Sequence, residues 1–591
     1  MVWAPEVDVV RVCVEDRGEH AMVAAELGYH VLELSEATGG DRYWLSFDGG
    51  PWRPDPCARR LPLGVHGPSE VLDFDPEWSD AGFVGHTDRQ LVFYELHVET
   101  FTEAGTFDAV IPHLDALVEL GITALELMPI AEVPGGTSAR NWGYDGVQPY
   151  CVRQSFGGPE GLARLVDASH ARGLSVFVDV VYNHLGPEGA YLYDLGPYAD
   201  ARHRTAWGPA LNFDGPGSDE VRRFFADQAL ELFEVFHVDG LRLDAIPAIF
   251  DLSAKTFVEE LAEATDVLSA RLGRPLRLVA EVDDNNPNWV RPRAEGGVGC
   301  HGMWTDDLHH AVHAYLLGEQ AAFYRDFGRF EQVVSAFFRG SALEGQGPTP
   351  HRGRRWGRPL VDVPAERMVT YAQNHDLVGN RPDGARVSTL LEGPEHRAFV
   401  ALLLLSPYVP LLFMGQEWGA KTPFHFFTSF EDPKLGRAVK KGRRRELKEL
   451  GYPGHPPDPQ AVETRDASRL QRVDDEEARR MRALHRAALH LRRELIANAG
   501  ELWRPRCVAS SVEEGWWVAE YPDGSHLVAR LGCGPVPSYR PPDGNLVFDS
   551  EADADKSSPP DAQVRVSLER SRVLVYRPAG GRRGDHESSS T

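Results

Sequence analysis

The 591-residue chain has only six cysteines, Cys13, Cys57, Cys151, Cys300, Cys507 and Cys533, and none forms a CxxC pair. Cysteines this dispersed argue against a zinc site and give no disulfide framework. Positive charge is also in short supply, with 62 Lys and Arg against 88 Asp and Glu, a net of −26. Nucleic acid and anionic membrane both reward basic patches, so neither fits as the main partner, whereas a neutral sugar is left open. A long hydrophobic run is missing too. The most apolar stretch, Phe399 to Met414, is interrupted by Pro407 and Pro410 and is short for a span, so it reads as buried core. No basic region leading into an apolar segment follows Met1, which makes a cytoplasmic enzyme the expectation.

Residues 1–88 carry short apolar or alternating runs, such as Val9 to Val14, punctuated by turns like Asp48-Gly49-Gly50-Pro51. That pattern predicts a small N-terminal β-sandwich. Over 89–500 the pattern changes to apolar runs alternating with amphipathic segments. The runs are Leu91–Leu96, Ala124–Met128, Ser175–Val181, Val238–Leu243, Leu276–Ala280, Gly302–Trp304, Met368–Ala372 and Leu411–Met414. Runs this short and this hydrophobic suit strands buried on both faces, and eight with helical crossovers predict an α/β fold, a (β/α)8 TIM barrel. A Gly/Pro-rich insertion at 183–216 follows the third run and is long enough to expect function of it. The basic, Gly/Pro-rich stretch Leu343 to Pro364 is expected to be exposed. Alternation returns in 501–577, predicting a C-terminal β-sandwich, and 578–591 reads as a polar, disordered tail.

Four polar clusters sit where barrel strands should end: Asp179 to His184, Gly240 to Asp244, Val279 to Glu281, and Gln373 to Asp376. Singly, an Asp after a strand often caps the next helix, and a lone His is usually structural. Four together, at the end where such barrels keep their chemistry, point to a site, because clustered buried carboxylates are costly. Strand alternation puts Arg242 and Asp244 on one face, so a guanidinium would hold Asp244 ionised as a nucleophile needs. Glu281 ends a largely apolar strand, an environment that raises a carboxyl toward the range of a general acid. Hydrolysis of a glycosidic bond needs these two kinds of carboxyl.

These clusters resemble, in order, the signature regions of the α-amylase family of glycoside hydrolases. The resemblance implies Asp244 as nucleophile, Glu281 as acid/base and Asp376 as transition-state stabiliser. It also places His184, Arg242 and His375 around the sugar at the cleavage point, with Tyr144 of Asn141-Trp-Gly-Tyr-Asp145 stacked beneath it. Further stretches, Gln373 to Arg381, Leu411 to Gly419, Pro423 to Thr428, Gly442 to Glu446, Leu211 to Asp219 and Gly64 to Ser69, are similar to the trehalohydrolase subgroup. That similarity runs from Trp3 to about Arg577 and implies cleavage of the α-1,4 bond between a malto-oligosaccharide and a terminal trehalose. The segments Arg242, Leu243, Asp244, Ala245, Ile246 and Pro247, then Asp306, Asp307, Leu308, His309 and His310, then His375, Leu377, Val378, Gly379 and Asn380, are implied to contact substrate. The implied partners are the malto-oligosyltrehalose substrate and the synthase that makes it, with no cofactor and no metal, although Asn183 matches a calcium-associated position in many α-amylases.

Departures from the subgroup are Pro247 where His is usual, Glu99 where Gly is typical, and a longer loop at Val133 to Arg140. The sandwich's usual first strand is also not found before Trp3, so an exposed edge strand is expected there. Two rivals remain open. One is a glycogen branching enzyme or another α-1,4-glucan-acting member of the family. The other is a catalytically silent carbohydrate-binding protein, which loss of a carboxylate would mark.

Overall fold

The computed structural model describes residues 1–391, 393–499, 503–534, 544–552 and 568–578. The tail expected to be disordered lies, beyond residue 578, outside the described residues. Its centre is a closed barrel of eight parallel strands. In chain order they are β1 (Phe93–Leu96), β2 (Ala124–Leu127), β3 (Ser175–Val180), β4 (Gly240–Leu243), β5 (Arg277–Ala280), β6 (Gly302–Trp304), β7 (Met368–Tyr371) and β8 (Val409–Phe413). Each pairs with its sequence neighbours, and β8 closes on β1 through Leu411 opposite Phe93. The eight expected runs are these strands.

Period-two alternation sorts their side chains. Phe93, Ala124, Phe177, Val279, Trp304, Val369, Tyr371, Val409 and Leu411 form an interior cluster, while Tyr94, Leu125, Val176, Leu241 and Leu278 join the larger core under the helices. Gly240 makes the interior fit, because a Cβ there would lie 2.0 Å from the Phe177 ring. The same alternation carries Glu95, Glu126, Asp179 and Arg242 into the barrel one layer nearer the C-terminal ends.

The outer helices are α1 (Leu114–Leu120), α2 (Gly158–His170), α3 (Ser218–Glu234), α4 (Phe257–Leu272), α5 (Asp307–Leu317), α6 (Phe330–Arg339), α7 (Gly393–Leu405), α8 (Pro433–Glu449) and α9 (Glu476–Asn498). Local chemistry sets their ends. The Thr256 hydroxyl accepts from Glu259 N at the start of α4, Gly273 ends it at φ 68°, and Asp475 caps α9 through Ala478 N. One crossover departs from expectation: β5 and β6 are joined by two short 3-10 turns, Pro287–Trp289 and Arg293–Glu295, not by an α-helix. The apolar stretch around Phe399 lies in α7, buried from His396 to Leu405, and Ser406 to Tyr408 lead from it into β8.

The N-terminal residues form a three-stranded sheet (Val2–Trp3, Tyr29–Val31, Val23–Ala24) and a four-stranded one (Gly18–Ala21, Val10–Val14, Arg42–Phe47, Ser69–Glu70). They meet the barrel through Trp3 edge-on to Tyr198 and the paired bonds of Arg59 to Glu231 at 2.6 and 2.7 Å. At the other end five antiparallel strands form one sheet, in the order Arg506–Ser511, Trp516–Glu520, His526–Arg530, Arg572–Arg577, Asn545–Asp549. Trp517, Ala519, Leu527, Val573 and Val575 join the core that includes α7 and α9. Trp516, Val518, Val528, Leu574 and Tyr576 form a separate cluster with Leu568 on the opposite face. Among the described residues this region thus covers the barrel helices with one sheet. The stretch Leu343 to Pro364 is less exposed than expected, since Leu343, Leu360 and Val363 are buried anchors. No helix among the described residues is long and apolar enough to cross a membrane.

Candidate active site

The site lies at the C-terminal ends of the strands, around the guanidinium of Arg242. This side chain is fully buried, packs 4.2 Å above the Trp304 ring and reaches three carboxyls. Its Nη1 donates to Asp179 Oδ2 and, at 3.2 Å, to Asp244 Oδ1, while Nη2 lies 3.4 Å from Glu281 Oε2. A planar fork with several donors suits such shared carboxylate contact.

Asp244 follows β4 directly, with its amide bonded to Val180 O of β3 at 3.0 Å. Asn183 donates to its carbonyl at 2.9 Å and to Oδ2 at 2.8 Å. With Arg242 on the other oxygen, the anion meets donors on both sides. Glu281 follows β5, with its amide bonded to Leu243 O, and its carboxyl accepts from the Ala245 amide. Burial pushes this carboxyl up to about 8; Asp244 and Asp376 add to the rise and Arg242 opposes it. Two carboxyls therefore share one guanidinium in unlike environments, one solvated by fixed donors and the other kept protonated at neutral pH.

Asp376 stands on the short helix His375–Gly379, and its Oδ1 accepts from Asn380 Nδ2 at 3.0 Å. Arg443 of α8 donates to Gly379 O at 2.9 Å and Asn380 Oδ1 at 2.7 Å, tying that helix down. A side chain at Gly379 is excluded by Trp142, whose ring would lie 2.0 Å from a Cβ. His375 stacks on Tyr144 with ring centroids 5.2 Å apart and places Nε2 2.8 Å from the Tyr144 hydroxyl. Burial opposes a charge on His375, but the Asp376 and Glu95 carboxylates raise it to about 9. His184 is buried beside Asn183 and stacks under Trp207, an indole 55 % exposed in the 183–216 insertion.

The structure thus brings Tyr144, His184, Arg242, Asp244, Glu281, His375 and Asp376 together. Asp306 joins their edge through the Tyr371 hydroxyl, and burial pushes it to about 7. Pro247 is exposed just past the Ala245 turn, and Leu377 packs against the barrel interior. Other residues expected to contact substrate are placed elsewhere. Leu243 alternates outward into the helix-facing core, and Ile246 and Val378 are each 1 % exposed. Asp307 turns to the main chain, accepting from Ala342 N at 2.6 Å and Leu343 N at 2.9 Å. Leu308 is buried in the core, His309 bonds Ala372 O and the Tyr324 hydroxyl, and His310 packs among Phe323, Tyr324 and Phe327. In the structure these four residues are engaged by main chain and core side chains around α5.

Glu95, Glu126, Trp207 and Trp304 also shape the site without being singled out by the sequence, and so does Asp179, which heads the first polar cluster but carries no assigned role there. The signal for three of them was present, since a carboxyl at alternate spacing in a barrel strand must point inward. Asn183 bonds Asp244 directly. Among the described residues no group of three or more His, Cys, Asp or Glu side chains is arranged to hold a metal.

Known proteins agree with this geometry. Residues 83–207 match the model of the α-amylase catalytic domain. A malto-oligosyltrehalose trehalohydrolase of Arthrobacter ramosus is 45% identical over 509 residues, 84% of this chain and 87% of that protein. The one from Saccharolobus solfataricus is 41% identical over 476 residues, 80% and 82% of the two chains. A crystal structure from Salmonella typhimurium assigned to the α-amylases superposes with a TM-score of 0.86 at 33% identity, covering 97% of this chain and 96% of that one. With identity at this level along most of both chains, and the barrel-end carboxyls in place, the chain belongs to the malto-oligosyltrehalose trehalohydrolase family of α-amylase-type glycoside hydrolases.

Proposed function

We propose that Asp244 and Glu281 are the nucleophile and the acid/base of a retaining hydrolysis that releases trehalose from the end of a malto-oligosaccharide. In the first step an Asp244 carboxylate oxygen bonds to the anomeric carbon while Glu281 gives its proton to the departing glycosidic oxygen, so trehalose leaves neutral. In the second, Glu281 takes a proton from water, whose oxygen replaces Asp244 at the same carbon. Asp376 would share the positive charge that develops on the sugar ring, and Tyr144 would stack beneath that ring. The observation carrying this reading is the single Arg242 guanidinium 3.2 Å from Asp244 and 3.4 Å from Glu281, with burial pushing Glu281 up to about 8. Unlike carboxyls side by side are what an acid and a nucleophile require.

The substrate we assign is malto-oligosyltrehalose, made by a synthase from malto-oligosaccharide, and the setting is the cytoplasm. Incubation with maltotriosyl-trehalose and with maltopentaose tests the assignment. Free trehalose and maltotriose from the first supports it. Branched, longer glucans would replace it with a transferase reading, and turnover of neither substrate with a binding one.

A further inference from the structure

Beneath the sugar-facing residues the barrel holds two neighbouring carboxyls. Glu95 of β1 and Glu126 of β2 are register partners, both about 1 % exposed. Their surroundings differ. Glu95 clamps one residue across the barrel: Oε2 accepts His375 N at 3.0 Å and Oε1 meets His375 Nδ1. Neither oxygen of Glu126 has a protein partner.

Proton counting then sets the state of His375. The single hydroxyl proton of Tyr144 goes to Asp179 Oδ2 at 2.6 Å, and that carboxylate is also held by Arg242. The Tyr144 oxygen can therefore only accept at His375 Nε2, 2.8 Å away, so Nε2 carries a proton. Nδ1 faces a carboxylate and carries one too. Two adjacent buried carboxyls do not both ionise when only one has donors.

We infer that Glu95 is a positioning residue that holds His375 as a correctly aimed imidazolium under the cleavage point, and that its neighbour Glu126 is kept neutral. The inference deepens the proposed reaction and rests on it for the identity of the sugar above His375. The charged and titratable groups facing His375 agree with it. Glu95, Asp179 and Asp376 are acidic, and Asp376 Oδ1 is 3.5 Å away. Arg242 opposes the charge, and burial holds His97 down at about 3, so that ring adds no opposing charge. Burial, first, and then the charge of Glu95 raise Glu126 well above the carboxylate range.

The consequence is a cationic N–H aimed from below at the Asp376 and Tyr144 side of the site, fixed by a group that never touches substrate. Loss of the Glu95 charge would let His375 lose a proton at lower pH and rotate, while Asp244 and Glu281 stay in place.

Histidine-labelled protein tests this by NMR, with His375 assigned by its absence in H375Q. In the unsubstituted enzyme at pH 8, both ring nitrogens of His375 should read as protonated. E95Q should bring its titration down toward 6.5 and lower kcat about tenfold to a hundredfold, with KM within about twofold, and shift the alkaline limb of the pH profile downward. E126Q should leave His375 charged at pH 8 and should remove an infrared band of a protonated carboxylic acid present at pH 7. A neutral His375 in the unsubstituted enzyme overturns the inference, and so does a protonated-acid band that vanishes in E95Q and not in E126Q. The NMR and infrared readings need no substrate, so they separate failure of the clamp from failure of the trehalose assignment.

Discussion

The main-chain N–H of Ala245, the residue after Asp244, donates to the carboxyl of Glu281. Ala245 adopts a left-handed conformation, φ 40° and ψ 53°, to do so, a region costing a non-glycine residue about 1 kcal/mol. The turn leaving β4 therefore reaches across to β5, and the two carboxyls are linked by backbone as well as by Arg242. Strain retained beside a strand end is common where geometry serves chemistry.

That link makes the pH dependence specific. A general acid must be protonated, so activity should hold at neutral pH and fall as pH rises through about 8, the value to which burial pushes Glu281. A kcat/KM profile measures it. An alkaline limb near 4.5, the ordinary carboxyl value, would remove Glu281 from the role. Glu281→Gln and Asp244→Asn should each cut kcat by at least about 10³-fold with unchanged circular dichroism. Either variant at the unsubstituted rate would refute the assignment.

Gly379 supports Asp376 from behind. A methyl group there collides with Trp142 at 2.0 Å, and Trp142 is itself fixed by its indole N–H to His425 O at 2.9 Å. Gly379→Ala should destabilise the fold by about 1–3 kcal/mol and displace the helix carrying Asp376. Thermal unfolding and kcat should both fall, and adding Trp142→Leu, which opens the space, should restore part of the melting temperature. An unchanged melting temperature in Gly379→Ala would show that the helix shifts freely.

Much of the barrel was legible because buried parallel strands leave dense apolar runs, and the site because polar residues end them. Two kinds of feature were not. Pro407 and Pro410 hid the start of β8 at Val409, since a proline within a strand reads as an interruption. Here Pro410 sits opposite Thr370 inside the sheet. The placement of Asp307 to His310 was also hidden, because a motif gives spacing and not which way α5 turns. Glu95 and Glu126 were readable by alternation, but alternation does not show that Glu95 meets His375 beyond β7 while neither oxygen of Glu126 has a protein partner.

Trp207 offers an exposed indole stacked at 5.3 Å on His184, at the edge of the site. Apolar surface left exposed beside a sugar site suits stacking on a pyranose ring. Trp207→Ala should raise KM for maltotriosyl-trehalose about tenfold and change kcat less, because the contact is made before and during the reaction alike. Steady-state kinetics decide it. An unchanged KM would place the indole outside the substrate path.

On the opposite end of the barrel, His170 of α2 is wedged between two carboxylates. Its Nδ1 is 2.8 Å from Asp80, in the connection from the N-terminal sheets, and its Nε2 is 2.9 Å from Asp239, just before β4. His237 also meets Asp80, Arg274 holds the other oxygen of Asp239, and Phe83 stacks on the ring. Burial opposes a charge on His170, but the Asp239 and Asp80 contacts outweigh it and raise the imidazole above 6.5. A raised folded value means that the proton stabilises the native state. That contribution is complete below the ordinary value of about 6.5 and is lost as pH rises through the folded one. The melting temperature should therefore decline on going from pH 6 toward the alkaline side. His170→Gln should melt lower at pH 6 and show a flatter profile, while Asp80→Asn, which removes one carboxylate, should flatten it in part. Calorimetry across that range measures both, and a His170→Gln profile parallel to that of the unsubstituted chain would place the pH dependence elsewhere.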